Sequence, residues 1–165
     1  MIRILSDGVL EQIADHASDA PRWIPQEMGR HVRRLGPKAV RRMRDAVHPN
    51  RYTGALEDSI GDHYSSNNLR AEIYPSAQRG RWDAGVILEL GTKPIPRAPY
   101  WPIAAWAFVK GAPMPGAWLK IRMRGVSAHP FLDRTMNAFI PDLDRGVMDM
   151  AESIVVRLLW GAGKP

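Results

Sequence analysis

The chain has 165 residues, 45% of them hydrophobic, with a net charge of +6 and no cysteine. The lack of cysteine excludes disulfide scaffolds, thiol nucleophiles and cysteine zinc sites, and the length suits one domain spanning 1–165. No stretch approaches the ~20 apolar residues of a membrane span, and acids interrupt the first twenty residues, where a signal peptide would lie. We therefore expect a soluble, intracellularly made protein without a membrane partner.

The first predicted elements are a short helix and a longer basic helix. Ser6 or Asp7 can cap the short helix, whose apolar stripe lies within 9–17. Gly36-Pro37 interrupts the apolar stripe of the longer helix without changing its phase, so we expect a kinked helix, or two nearly collinear ones, ending at His48-Pro49-Asn50. That stripe has a mean spacing of 3.6, the helical repeat, and consists of Met28, Val32, Leu35, Ala39, Met43 and Ala46.

Nearly all of the net charge lies around this longer helix. Residues 22–51 contain nine basic and two acidic side chains, whereas the charges of the remaining residues roughly cancel. Arginine pairs with carboxylates and with phosphates, so an acidic protein partner, duplex DNA and simple solvation all stay open. The candidate subunit or DNA interface consists of Arg30, Arg33, Arg34, Lys38, Arg41, Arg42 and Arg44.

Shorter elements follow the basic helix. Thr53-Gly54 is typical of a turn and N-cap, and it predicts a short helical turn over 55–60. Apolar and polar residues alternate over 69–74, which predicts a half-buried strand. The apolar run at 86–90 has a length that suits either a strand or a helix, and both stay open.

Residues 93–129 form an excursion rich in proline and tryptophan. A helix fits over about 101–110 between proline clusters, and the alternation over 119–123 predicts a strand. For its three tryptophans, a role in anchoring the loop to a core is favoured over stacking on nucleic-acid bases. These residues are Trp101, Trp106 and Trp118.

The last predicted element is a C-terminal helix. Pro130-Phe131-Leu132 begins it, Pro141 marks a second start, and Gly161 ends it. Helices are thus followed by strands and then by helices, an order that indicates an α+β fold. We expect a long basic N-terminal helix region and a C-terminal helix packed on a small, mostly antiparallel sheet.

Sequence motifs for catalysis are missing. The chain has no phosphate-binding glycine loop and no nucleophile elbow, and its five histidines lack metal-ligand spacing, so we expect them at the surface or at caps. The neighbouring acids Glu57-Asp58 and the pair Asp142 and Asp144 fit helix starts. We therefore predict that the protein is not an enzyme and has no catalytic, cofactor-binding or metal-binding residues.

Four signatures stand in a fixed order along the chain. They are the basic amphipathic helix, the run Tyr-Thr-Gly-Ala-Leu-Glu-Asp-Ser-Ile at 52–60, the run Val-Ile-Leu-Glu-Leu-Gly-Thr at 86–92, and Pro-Phe-Leu at 130–132 before the last helix. Over about 25 to 160, this series resembles the neck, or tail-completion, proteins that join head to tail in long-tailed bacteriophages.

The resemblance implies an α+β subunit that forms a homo-oligomeric ring around the DNA passage and performs no catalysis. It implies a virion location at the head–tail junction after synthesis in the host cytoplasm. The implied partners are copies of the chain itself, neighbouring head-completion and tail proteins, and genomic double-stranded DNA in the channel. The alternative is a stand-alone nucleic-acid-binding protein that uses the arginine-rich helix 30–44.

We expect structural roles for the residues of the shared motifs. Gly91-Thr92 should turn the chain, and Pro130 should fix the start of a helix whose Phe131 and Leu132 point into the core. The motif residues are Thr53, Gly54, Leu56, Ser59, Glu89, Gly91, Thr92, Pro130 and Phe131.

The chain departs from the family pattern between Thr92 and Pro130, where 37 residues carry three tryptophans and six prolines. Long loops in compact domains usually have a function, and interface cores are rich in aromatic residues. We expect this excursion, with Trp101, Trp106 and Trp118, to contact a neighbouring subunit or ring.

Overall fold

The computed structural model describes residues 7–50, 54–66, 68–79 and 82–161. In the described residues, the strands are β1 (Ile60–Tyr64), β2 (Ala71–Pro75), β3 (Gln78–Arg79) and β4 (Trp82–Asp83). The helices are α1 (Asp7–Val47), α2 (Ala55–Asp58), α3 (Ala84–Leu90), α4 (Tyr100–Val109), α5 (Gly116–Arg124) and α6 (Leu132–Trp160), with a 3-10 turn at His48–Asn50. β1 pairs with β2, and β3 pairs antiparallel with β4. The expected α+β fold, with a long N-terminal helix, a C-terminal helix and a small sheet, is confirmed.

The chain divides into two compact units. The first consists of the described residues of Met1–Lys38, Asp62–Glu72 and Phe139–Pro165, and the second of those of Ala39–Gly61 and Ile73–Ala138. The single domain expected over 1–165 stays a prediction.

Gly36-Pro37 lies inside a continuous helix, α1, rather than between two helices. Pro37 has no amide hydrogen, so the Arg33 carbonyl one turn earlier loses its usual donor. The Tyr64 hydroxyl lies 3.4 Å from that carbonyl oxygen. A Cβ at Gly36 would collide with the same hydroxyl, so the glycine makes room for the tyrosine.

The environment of the Tyr64 hydroxyl should make the stability of the protein depend on pH. The pKa of Tyr64 is raised to about 12, first by burial and then by the hydrogen bond that its hydroxyl donates to Asp62 and by the charge of Asp62, while the charge of Arg33 acts in the opposite direction. A phenol whose pKa is higher in the folded state stabilises the fold below its unfolded pKa of about 10. That contribution is lost as the pH rises toward about 12. In a phenolate absorbance titration, one tyrosine should ionise near pH 12, and Asp62→Asn should lower its midpoint.

Matched phenylalanine variants assign this titration. Tyr64→Phe should remove the component near pH 12, whereas Tyr74→Phe, at an exposed tyrosine of β2, should leave it in place. Far-UV circular dichroism over the same range checks that the protein is still folded. If Tyr64→Phe left the high-pH component unchanged, the buried hydrogen bond to Asp62 would be disproved.

In the first unit, α1 and α6 lie side by side and antiparallel. The Arg157 guanidinium stacks 4.5 Å from the centre of the Trp23 ring, and the Ser153 hydroxyl donates to Glu27 Oε1 at 3.0 Å. Gly146 makes the close approach possible, because a Cβ there would lie 2.8 Å from the Leu35 side chain. One face of α6 is therefore fixed against α1.

Glu27 joins several charges of this helix pair. Burial raises the pKa of the Glu27 carboxyl, but the Ser153 hydrogen bond and the charges of Arg30 and His31 outweigh burial and lower it. His31 is buried, with Nε2 3.5 Å from Glu27 Oε1, so the expectation of a surface position is wrong for this histidine. Glu27 lies four residues before His31, on the previous turn of α1, and a carboxylate at this spacing is a favourable neighbour for a histidine.

The core of the second unit gathers side chains from α1, the sheet and the start of α6. Val47 and Ile60 are 1% exposed and Phe131 is 2% exposed, with Met43 beside them. Partly buried residues surround this cluster: Val40, Ala46, Leu56, Ile73 and Leu88. The start of the C-terminal helix thus packs on the strands, as the fold class requires.

The strand predicted over 119–123 is wrong, because these residues belong to α5. The alternation of Leu119, Ile121 and Met123 covers only five positions, too few to distinguish a strand from a helix. Helical spacing instead places Arg122 over the ring of Trp118, four residues earlier, at 4.6 Å from the ring centre. Leu119 and Met123 then share the exposed side of the helix.

Other differences concern boundaries and prolines. The short first helix and the basic helix are one element, and Pro141 lies inside α6 instead of beginning a second helix. Pro141 and Asn137 are exposed, so water can hydrate the carbonyl that lacks an amide donor. The ambiguous run at 86–90 is helical, and Ile60, expected in a helical turn, begins β1.

Candidate assembly surfaces

The motif residues of the second unit are joined by hydrogen bonds across long sequence separations. Glu89 Oε2 accepts from the backbone amides of Phe131 at 2.7 Å and Leu132 at 3.1 Å. Phe131 precedes the first residue of α6, in the N-cap position, and its buried phenyl ring has no acceptor atom with which to cap the helix. The carboxylate of one motif therefore caps the helix that the other motif begins.

A second set of bonds closes the base of the excursion. The Thr92 amide donates to the Val126 carbonyl, and Thr92 Oγ1 accepts from the Val126 amide, both at 2.9 Å. Gly91 has φ 69°, and a Cβ there would lie 2.5 Å from the Val126 carbonyl oxygen. Only glycine fits this turn and this close approach. The glycine therefore allows the end of the excursion, at Val126, to lie against its beginning, at Thr92.

The first motif is tied to the same unit. Gly54 is buried with φ 83° and precedes α2, while Leu56 packs against the core; Thr53 lies outside the described residues. Ser59 Oγ accepts from the Ala77 amide at 3.0 Å. Pro130 is exposed, and its carbonyl accepts from Arg134 Nε at 2.9 Å. Leu132 is 43% exposed, so the expectation that it points into the core is wrong.

The excursion folds into a helical hairpin, α4–α5 (Tyr100–Arg124), around an apolar cavity of about 850 Å³. Trp106 lines this cavity, and Trp118 donates from Nε1 to the Ala98 carbonyl at 3.0 Å. Trp118 also meets Tyr100 edge-on, with ring centres 5.7 Å apart. Two of the three predicted interface tryptophans thus hold the hairpin together.

The outer side of the hairpin is strongly apolar. Trp101 is 79% exposed and Phe108 is 88% exposed, and Val109, Leu119 and Met123 are each at least half exposed. Helical spacing places Trp101 and Phe108 on one side of α4, and Leu119 and Met123 on one side of α5. Exposed apolar surface of this kind marks an interaction site.

The first unit has its own uncovered apolar surface, on the side of α6 that faces away from α1. Spacings of three and four residues place its members on one helical face. This outer face of α6 consists of Ile140, Leu143, Val147, Ala151, Val155 and Leu159, all exposed. The sequence shows that these residues are apolar but not that they stay exposed, because their exposure depends on how α6 packs against α1.

The basic side chains of α1 are less available than the sequence indicates. Arg30 pairs with Glu27 at 2.9 Å, Arg33 donates to Asn68 at 2.9 Å, and Arg44 donates to the Ile60 carbonyl at 2.8 Å. Arg42 also has a partner. Among the residues that the structure describes, Arg34, Lys38 and Arg41 have no hydrogen-bond or ion-pair partner.

Comparison with protein-family models, curated proteins and solved structures finds no match. In the described ranges, no three histidine or acidic side chains are grouped so that they could hold a metal ion. None of the helices described there is long and apolar enough to span a membrane. The function is therefore inferred from the exposed surfaces of the hairpin, of α6 and of α1.

Proposed function

We propose that this protein is a structural component of the bacteriophage head–tail junction, a neck or tail-completion protein, that acts by assembling into a ring around the DNA passage. Its subunits contact one another and neighbouring head-completion and tail proteins, and no catalytic step is involved. The described motif residues support the family resemblance, because they all lie in the second unit, where Glu89 of one motif is hydrogen-bonded to Phe131 of another.

The observation that carries the proposal is the excess of uncovered apolar side chains. In the described part of the chain, eight hydrophobic residues are buried, whereas twenty large hydrophobic residues are exposed. Leu, Ile, Val, Phe and Met are ordinarily among the most buried residues of a protein. Their exposure on two separate elements favours a subunit that becomes complete only on association.

Sedimentation velocity over a roughly hundredfold range of protein concentration tests the assembly, since mass action makes an oligomer concentration-dependent. We expect species larger than the monomer, and negative-stain electron microscopy should show closed rings. A protein that sediments as a monomer throughout would contradict the proposal.

A stand-alone nucleic-acid-binding protein is the second candidate, and the three unpartnered cations favour it. Binding to nonspecific duplex DNA across a salt series tests it. If Arg34, Lys38 and Arg41 contact phosphates, the triple alanine variant should reduce the slope of log affinity against log salt by about 0.9 for each lost contact. Under the assembly proposal, the wild type binds such DNA weakly and the variant still forms rings.

A further inference from the structure

We propose that the α4–α5 hairpin of one copy docks on the outer face of α6 of the next copy. This inference rests on the proposed function and specifies which two surfaces meet in the ring. Both surfaces belong to the same chain, so each copy has one hairpin that can dock and one α6 face on which a hairpin can dock.

Charge identifies the partner of the hairpin. Between Glu89 and Asp133 the sequence has six lysine or arginine residues and no acid. On α5, Lys120 and Arg124 are exposed and each directly follows an exposed apolar residue, Leu119 or Met123, while Lys120 also borders the cavity. A surface that covers these apolar groups must therefore be apolar and acidic at its edge.

The outer face of α6 has that composition. Within 139–161, four acids stand against two arginines, and one of these, Arg157, is engaged with Trp23. Asp144 and Glu152 are exposed and flank Val147, Ala151 and Val155 on the same side of the helix. Apolar groups can then meet apolar groups while the basic edge meets the acidic edge.

The signs of these charges disfavour the symmetric alternatives. Two hairpins facing each other would bring Lys120 and Arg124 against their own copies, and two α6 faces would do the same with Asp144 and Glu152. Like charges in direct opposition disfavour such pairs. Of the three pairings of these two surfaces, the contact of hairpin with α6 is the one that brings opposite charges together. Such a head-to-tail contact continues from copy to copy and closes into a ring when the rotation permits.

The size of the apolar surface is adequate for a specific contact. An aromatic side chain buries about 150–250 Å² when covered. Trp101 and Phe108 are exposed for 79% and 88% of their surface. Together they can supply about 300 Å² of the roughly 800 Å² that each side of a standard interface buries. Leu119, Met123 and the basic side chains can add to that area.

Paired charge reversals test the contact. The hairpin variant carries Lys120→Glu and Arg124→Glu, and the α6 variant carries Asp144→Lys and Glu152→Lys. All four residues are exposed, and because Lys120 also borders the cavity, circular dichroism and the unfolding midpoint of each variant check that the fold is kept. Each variant alone should weaken self-association at least roughly tenfold in sedimentation velocity. An equimolar mixture should restore it, because every contact between unlike variants pairs opposite charges.

The outcomes separate this contact from the proposed function. If the wild type assembles and both variants assemble equally well, the contact is wrong while ring assembly stands. If each variant alone associates as the wild type does and their mixture associates more tightly than the wild type, a symmetric contact replaces the one proposed. If the wild type stays monomeric at every concentration, both the contact and the assembly proposal are overturned.

Discussion

Replacing Phe131 with alanine is expected to lower the free energy of unfolding by about 3–5 kcal/mol. Phe131 is 2% exposed and lies against Val47 and Ile60, so its removal leaves a cavity that the surrounding elements cannot fill. A domain is stable by only about 5–15 kcal/mol, so the loss is a large fraction of the total. Urea unfolding followed by tryptophan fluorescence measures the change.

The neighbouring residue supplies the control. Leu132 belongs to the same motif, but it is 43% exposed, so Leu132→Ala should cost under about 1 kcal/mol. Equal losses at the two positions would contradict the placement of Phe131 in the core and of Leu132 at the surface. A Phe131→Leu variant, which keeps most of the apolar volume, should show an intermediate loss.

The helices of this fold were predictable where their apolar pattern was long. The 3.6-residue spacing over 28–46 identifies α1, and its unchanged phase across Gly36-Pro37 correctly indicated a helix that continues. The Tyr64 hydroxyl that lies 3.4 Å from the Arg33 carbonyl oxygen comes from 31 residues away. No local pattern contains that information.

Short patterns were less informative. Five alternating residues suggested a strand at 119–123, yet stacking of Arg122 on Trp118 requires helical spacing. β3 and β4 have two residues each, which is below the length at which a period can be recognised. In these segments, tertiary contacts rather than local preference decide the structure.

The sites were predictable as residue types but not as pairs. Structural roles for Glu89 and Phe131 follow from their motifs, but the bond between them spans 42 residues. The arginines of α1 form a recognisable run, whereas the partners that engage Arg33 and Arg44 come from distant segments. Which apolar residues of α6 stay exposed becomes visible only when the face packed against α1 is known.

Replacing Glu89 with alanine is expected to destabilise the second unit by about 2–3 kcal/mol. The variant leaves the amides of Phe131 and Leu132 without their acceptor and removes a negative charge from the start of α6, where the helix dipole favours one. Glu89→Gln keeps an acceptor oxygen without the charge, so about 1 kcal/mol should be lost. Urea unfolding of both variants measures this order.

The control is an acid that makes no such bonds. Asp149 is exposed on α6, and Asp149→Ala should change stability by less than about 0.5 kcal/mol. The size of the Glu89 effect also bears on assembly, because the bonds from Glu89 to α6 lie next to the base of the hairpin at Thr92 and Val126. If Glu89→Ala were as stable as the wild type, the amides of Phe131 and Leu132 would have other acceptors, and Glu89 would not be the cap of α6.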